Sequence, residues 1–288
     1  AAHHRPDGPQ KDEPLMTARN GLAGAHARQV ADWPLARKNY EALAGVETRV
    51  APVGGFPWRV QFNPARALSA SANIERKAIE SRPCFLCAAN RPAEQRVLAE
   101  ERGYEVLVNP YPVFPLHFTI ASKKHEPQSL EGRVADMVAF AEMMPGMAVF
   151  YNGPRCGASA PDHMHFQAVP AGMLPLFGDR EGFPLKYLRF SASEAPAAVG
   201  RMLAESAEEP MINVYAHKPA EEGETEVVII PRRAHRPSCY GTGKGQMLVS
   251  PAAVECAGVM ITPRREDFER MDSATLEEIL KEVCHAEL

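Results

Sequence analysis

The run His163-Met164-His165-Phe166-Gln167 constrains this chain more than any other five residues. Polar and apolar residues alternate in it with a period of two, which fits a β-strand and not a helix. On a strand, His163, His165 and Gln167 share one face, and Met164 and Phe166 are expected to be buried on the other. The fold must therefore supply a sheet with an apolar layer behind it and room for three aligned polar groups in front. Just upstream, Gly157-Ala158-Ser159 is a small-residue turn. Its backbone N–H groups can approach a phosphate closely.

The rest of the pattern predicts where that strand sits. Residues 27–43 have helical spacing (Val30, Trp33, Leu35, Tyr40, Leu43), with Pro34 starting a new turn. Residues 58–62, 104–108, 117–121, 148–151 and 164–169 read as strands, and 130–144 as a helix with Val134, Met137, Val138, Phe140 and Ala141 on its apolar side. This order predicts an α+β fold with an antiparallel sheet and flanking helices. The second half repeats the theme weakly, with strands over 211–217 and 226–230 and a terminal amphipathic helix over 276–283. There, Pro231-Arg232-Arg233-Ala234-His235 echoes Ala121-Ser122-Lys123-Lys124-His125, but no second His-x-His-x-Gln run exists. It reads as a degenerate, supporting copy. Arg232 and Arg233 are weak phosphate candidates or part of a basic surface. Three segments are expected: a polar N-terminus without fixed structure (1–26), a catalytic half (27–200), and a degenerate half with the terminal helix (201–288).

Composition narrows the function classes. A net charge of -4 gives no support to binding of a nucleic-acid polymer. At 45% hydrophobic residues the chain can bury a core without disulfides. No apolar run reaches transmembrane length, and residues 1–14 lack the apolar stretch of a signal peptide. Of six cysteines only Cys84 and Cys87 are closely spaced, which suits a reducing, cytoplasmic compartment. His3 and His4 lie in the polar terminus and are not counted as ligands. The oligomeric state stays open, a homodimer included.

The motif resembles the active-site run of the histidine-triad (HIT-like) superfamily, in its galactose-1-phosphate uridylyltransferase and GDP-hexose phosphorylase branch. Those proteins share an Asn, then Gly-small-Ser, then His-x-His-x-Gln, matched here by Asn152, Gly157-Ala158-Ser159 and His163 to Gln167. The wording HMHFQA at 163–168 is similar to the GDP-hexose phosphorylases. So are Val249-Ser250-Pro251-Ala252-Ala253, Ala257-Gly258-Val259-Met260 and Arg264-Arg265-Glu266-Asp267-Phe268. The likeness runs in patches over 58–268. RPCFLC at 82–87 and NRP at 90–92 also resemble a bacterial family of unassigned function. The resemblance implies two HIT-like halves, the second degenerate.

Neutral imidazole is a good nucleophile toward phosphorus, and a pKa near ~6.5 keeps much of it neutral. The resemblance makes His165 the nucleophile, forming a covalent nucleotidyl-histidine. It gives Gln167 the role of donating its amide to a phosphate oxygen. Ser159, with the N–H groups around Gly157 and Ala158, would hold developing charge, and Asn152 would stand on the phosphate or leaving-group side. Gln in place of a third His marks transferases and phosphorylases within the superfamily. Asp162 departs from the Pro that usually precedes the first His in uridylyltransferases, and a polar residue there suits the GDP-hexose branch. Arg66 and Lys244 are candidate phosphate cations, although a solvated turn is the commoner role for the Lys244 segment. A tetrahedral zinc on Cys84 and Cys87 needs two further ligands. The resemblance supplies His125 and His163, for a structural zinc, and a metal-free or redox pair are the alternatives. A strand-entry His such as His117 is common in the superfamily, and a packed or hydrogen-bonded scaffold residue is the favoured reading for it.

The expected function is an enzyme: phosphorolysis of a nucleoside diphosphate hexose, GDP-hexose favoured, with phosphate as acceptor and no organic cofactor. A dinucleoside polyphosphate phosphorylase and a hexose-1-phosphate uridylyltransferase share the chemistry. A non-catalytic nucleotide-binding scaffold is the reading from another class.

Overall fold

Two sheets carry the chain in a computed structural model that describes residues 16–71, 73, 75–220 and 222–286. Expectations for residues 1–15, His3 and His4 among them, fall outside the described residues. In chain order the strands are β1 (Glu47–Val53), β2 (Phe56–Phe62), β3 (Ala99–Glu101), β4 (Tyr104–Val108), β5 (Phe118–Ser122), β6 (Met147–Asn152), β7 (His165–Pro170), β8 (Leu188–Ser191), β9 (Ile212–His217), β10 (Glu226–Pro231) and β11 (Val259–Thr262). The helices are α1 (Met16–Asp32), α2 (Pro34–Glu41), α3 (Ala67–Ala70), α4 (Arg76–Glu80), α5 (Val134–Met143), α6 (Ala195–Ala204), α7 (Ala253–Cys256), α8 (Arg265–Arg270) and α9 (Ser273–Val283).

The larger sheet runs β3-β4-β5-β7-β6-β9-β10-β8, and each neighbouring pair is antiparallel. The expected α+β architecture with flanking helices is thus the observed one. Period-two alternation assigns its two faces. Ile120, Val149, Tyr151, Phe166, Val214 and Ile229 point to one side and pack with Met137, Phe140 and Ala141 of α5 and Val199 of α6. Burying side chains of this size contributes about 1.5–3 kcal/mol each. Phe150, Tyr215, Val228 and Ile230 point to the other side, against Trp58 and Val60 of β2, Met260 of β11 and Leu280 of α9. Met164 and Phe166 are fully buried, as the alternation required.

The smaller sheet, β1-β2-β11, forms the second layer. β1 and β2 are joined by Gly54 and Gly55, both with positive φ (56° and 87°), pairing Val53 with Phe56. Such a two-residue turn matches the twist of the strands it joins. β11 adds to β2 in parallel, which ties the C-terminal region to the N-terminal hairpin.

Three sequence expectations meet a different arrangement. The helical stretch expected over 27–43 is two helices, and α1 already begins at Met16, inside the segment assigned no fixed structure. Pro34 does open α2, at its first turn. The division at residue 200 falls within α6, and β8, before it, pairs with β10, after it. Strand pairing across that point, not chain order, organises this part of the molecule. Finally, Arg232 is only 5% exposed. Its guanidinium donates to Asn213 Oδ1 and to the carbonyls of Val283, Ala234, His235 and Pro251, so it is a buried fastener and not a basic surface.

Candidate active site

β7 lies between β5 and β6, pairing His165 with Ala121, and Gln167 with Thr119 and Phe150. Residues opposite one another share a face. Asn152 of β6 and Asn213 of β9 are paired, so both join His165 and Gln167 on the side facing the smaller sheet. The β6–β7 ladder ends at Phe150 and Gln167. Beyond it Gln128 takes over: its Nε2 donates to Asn152 O (2.9 Å) and His165 O (3.0 Å), and its Oε1 accepts the His165 N–H (2.8 Å). A side chain thereby satisfies backbone groups that would otherwise be buried and unpaired.

His165 is 4% exposed, and its Nδ1 lies 2.8 Å from the carbonyl of His163. A carbonyl only accepts, so Nδ1 carries the proton and Nε2 keeps its lone pair. Burial pushes the His165 pKa down to about 4, which leaves the ring neutral near neutral pH.

Gln167 is oriented in the same way. His117 Nδ1 accepts the Val113 N–H, so its Nε2 is the donor, 2.8 Å from Gln167 Oε1. Asn109 Nδ2 also approaches that oxygen. With Oε1 engaged, Gln167 presents its amide NH2 as the free group. Asn152 is held likewise: its Oδ1 accepts from Asn213 Nδ2 (2.9 Å) and Ala253 N (2.8 Å). The buried Arg232 in turn fixes Asn213 through its Oδ1 (2.6 Å). A relay from Arg232 through Asn213 leaves the Asn152 Nδ2 as a donor.

Gln167 and Asn152 wall a cavity of about 70 Å3, together with Arg66, Ser159, Gly157, His117, Ser250 and Glu255. His165 sits two residues from Gln167 on the same face of β7, next to the wall residues. Gly157 has φ 116°, and a Cβ there would come within 2.4 Å of Ala252 Cβ and 3.2 Å of Asn152 Oδ1. The turn needs glycine both for its backbone angle and for this approach. Ala158 is buried, and its N–H points to Gly153 O at 3.4 Å, so it stands behind the turn and not on the cavity wall. Lys244 is exposed and is not among the wall residues. The cation the structure does bring there is Arg66, whose Nη1 donates to Tyr111 O. Sequence reasoning missed Gln128 and Glu255, and it left the hydrogen-bond partner of His117 unnamed. A larger cavity, about 370 Å3, opens between α5 and α6. Its lining includes Glu131, Glu208 and Glu209 but no Lys, Arg, His or Cys, which suits neither phosphate binding nor nucleophilic attack.

On the strand's leading edge, His163 turns into a Cys/His cluster. The ligand atoms of Cys84, Cys87, His125 and His163 all lie within 4.8 Å of one another. Cys84 Sγ is 3.3 Å and Cys87 Sγ 3.6 Å from His163 Nδ1, and Cys87 Sγ is 3.3 Å from His125 Nδ1. With metal–sulfur and metal–nitrogen bonds of about 2.3 and 2.05 Å, a tetrahedral zinc site has S···N edges of roughly 3.6 Å. His163 Nε2 donates to Ser122 O (2.8 Å), which leaves Nδ1 as the ligand atom. Arg82, two residues before Cys84, pairs with Asp162 at 2.9 Å, which gives the non-proline residue before the motif a partner.

Two family models match the chain. One, described as a domain of unknown function (DUF4922), covers residues 26–170, and the other, described as a GDPGP1-like C-terminal domain, covers residues 181–287. No curated protein matches. Among solved structures, yeast Ap4A phosphorylase Apa2 in complex with Ap4A is 16% identical with a TM-score of 0.61, over 92% of this chain and 97% of that one. The same protein in complex with AMP is 16% identical with a TM-score of 0.59, over 92% and 96%. At this identity the likeness establishes a shared fold. The chain belongs to the DUF4922 family, and its residues 181–287 are similar to a GDPGP1-like C-terminal domain.

Proposed function

We propose that this protein is a nucleotidyl phosphorylase that works through a nucleotidyl-His165 intermediate. The observation that carries the reading is the fixed His165 tautomer, with Nδ1–H on the His163 carbonyl and a free lone pair on Nε2. In the first step Nε2 attacks the α-phosphorus. The bond from that phosphorus to the bridging oxygen breaks, and the leaving phosphate takes the electron pair. In the second, an oxygen of inorganic phosphate attacks the same phosphorus and Nε2 recovers its pair. The Gln167 amide, Ser159 hydroxyl, Asn152 amide and Arg66 guanidinium are the donors for the phosphate oxygens.

GDP-hexose is our favoured donor, giving a nucleoside diphosphate and hexose 1-phosphate, and the GDPGP1-like C-terminal match supports it. A dinucleoside polyphosphate is the second reading, supported by the likeness to a yeast Ap4A phosphorylase. A uridylyltransferase would need a sugar phosphate as acceptor. Incubation with labelled nucleotide sugars and Ap4A, with and without phosphate, separates these. We expect an acid-labile nucleotidyl adduct and phosphate-dependent product. His165→Ala should reduce turnover by at least about a thousandfold, as removal of a nucleophile does. Full activity in that variant would overturn the assignment, and nucleotide binding without turnover would favour the scaffold.

We also infer a structural zinc on Cys84, Cys87, His125 and His163. The fit of their spacing to a tetrahedral site supports it. A metal with four protein ligands has no open position for substrate, so its contribution is to tie β7 to the Cys84 loop.

A further inference from the structure

Glu255 is a carboxyl group where an anion pocket should least want one. It sits on α7, is 7% exposed, and lines the same cavity as Arg66, Asn152, Ser159 and Gln167. Its Oε2 accepts the Ala252 N–H at 2.9 Å. A carboxylate has about four acceptor sites, so capacity remains for a ligand in the cavity. Burial raises its pKa, an effect that the Ala252 N–H and, less strongly, the Arg66 charge oppose without cancelling.

A cavity meant only for a fully ionised oxyanion gains nothing from this side chain. Two like charges about 4 Å apart repel by ~1 kcal/mol in water and by more where solvent is excluded. The carboxylate becomes favourable only if the ligand brings a donor to it. Hydrogen phosphate carries a P–OH near neutral pH, whereas sulfate is fully deprotonated and carries none. The other wall groups, Arg66, the Asn152 and Gln167 amides and the Ser159 hydroxyl, are donors that serve either tetrahedral anion alike.

We propose that Glu255 selects hydrogen phosphate as the acceptor over sulfate, by accepting a hydrogen bond from its P–OH group. This rests on the phosphorolytic reading given above. In the acceptor step, an unprotonated oxygen of hydrogen phosphate attacks the phosphorus of nucleotidyl-His165. The new P–O bond forms, the P–Nε2 bond breaks, and Nε2 keeps the electron pair. The P–OH proton stays on the terminal phosphate of the product, facing Glu255, so no proton is gained or lost. Glu255 is thus a specificity residue contributed by the C-terminal domain to a site whose motif lies in the N-terminal one.

The test is titration calorimetry with orthophosphate and with sulfate on the wild-type protein and on Glu255→Gln, near neutral pH. One hydrogen bond to a charged group corresponds to about a ten- to hundredfold preference for phosphate in the wild type. The glutamine keeps an acceptor for Ala252 N–H but also offers an NH2 to sulfate, so the preference should collapse toward one. In rapid-quench assays, the variant's loss should be larger in discharge of the adduct by phosphate than in adduct formation. Equal affinity of the wild type for the two anions overturns the proposal, and so does retained selectivity in Glu255→Gln. A loss confined to nucleotide affinity also overturns it, assigning Glu255 to a sugar or base. If the variant does not fold, the wild-type ratio alone decides. Selective phosphate binding without any nucleotidyl adduct would support anion selection while removing the phosphorolysis reading.

Discussion

At the scale of single residues, the site depends on groups whose protons are placed by neighbours far away in the chain. His117 is the example. Its Nε2–H fixes the Gln167 carbonyl only because Val113 N–H occupies Nδ1. Burial pushes its pKa down to about 3, so the donor pattern is stable across the neutral range. We predict that His117→Phe, which keeps the ring volume but removes the donor, frees the Gln167 amide to rotate. Its kcat/KM should fall by about ten- to a hundredfold, the effect of one buried hydrogen bond. Steady-state kinetics with folded protein checks this, and an unchanged kcat/KM would remove His117 from the site. His165 and Gln167 were legible in the sequence because the motif places them two apart. The positioning role of His117 was not, since its partner Gln167 is separated from it by 50 residues. Arg66 and Lys244 looked alike as candidate cations, and only the packed structure puts the first on the cavity wall and leaves the second in solvent.

At the scale of elements, the motif strand is fastened at two points outside its own ladder. Gln128 closes the gap where β6 and β7 part, through three hydrogen bonds to main-chain groups. We predict that Gln128→Ala destabilises the protein by about 2–4 kcal/mol, because buried backbone groups lose their partners. Urea denaturation measures this, and a change under about 0.5 kcal/mol, as for an ordinary surface position, would show that water replaces the side chain. The second fastening is the Cys/His cluster. Purified protein should contain about one zinc per chain, the stoichiometry of a four-ligand site. Cys84→Ser should lose the metal and lower the melting temperature, as should chelation. Metal analysis that finds wild-type protein zinc-free and equally stable would refute the site. Several elements escaped the sequence reading for physical reasons. β8 and β11 are four residues each, too short for a period to show. The β1–β2 hairpin did carry a readable signal in Gly54-Gly55, but exposed positions along β1 obscured its alternation.

At the scale of the whole molecule, folding buries histidines that must stay neutral. Besides His117, burial pushes His26 and His235 down to about 4. The unfolded chain protonates these rings near pH 6.5, and the folded chain does so only at lower pH. Below pH 6.5 the unfolded state therefore binds more protons, and stability falls as pH drops from 6.5 toward 3. For His117 alone the loss between pH 7 and pH 5 is about 2 kcal/mol. Urea midpoints at the two pH values should show a smaller acid loss in His117→Phe than in wild type, by about that amount. An identical loss would mean that His117 is not buried neutral. Among the described residues, no helix is long and apolar enough to cross a membrane. The sequence alone determined the antiparallel α+β architecture, the motif strand with Met164 and Phe166 inward, and the family resemblance. The first two follow from local periodicity, and the resemblance from the identities of the motif residues. The tertiary structure alone decided that residues 250–261 close the cavity, that Arg232 holds Asn152 through Asn213, and that Glu255 lines the same cavity as Arg66 and Gln167. Those contacts join positions many residues apart, and only strand pairing and layer packing bring them together, so no local pattern in the chain could announce them.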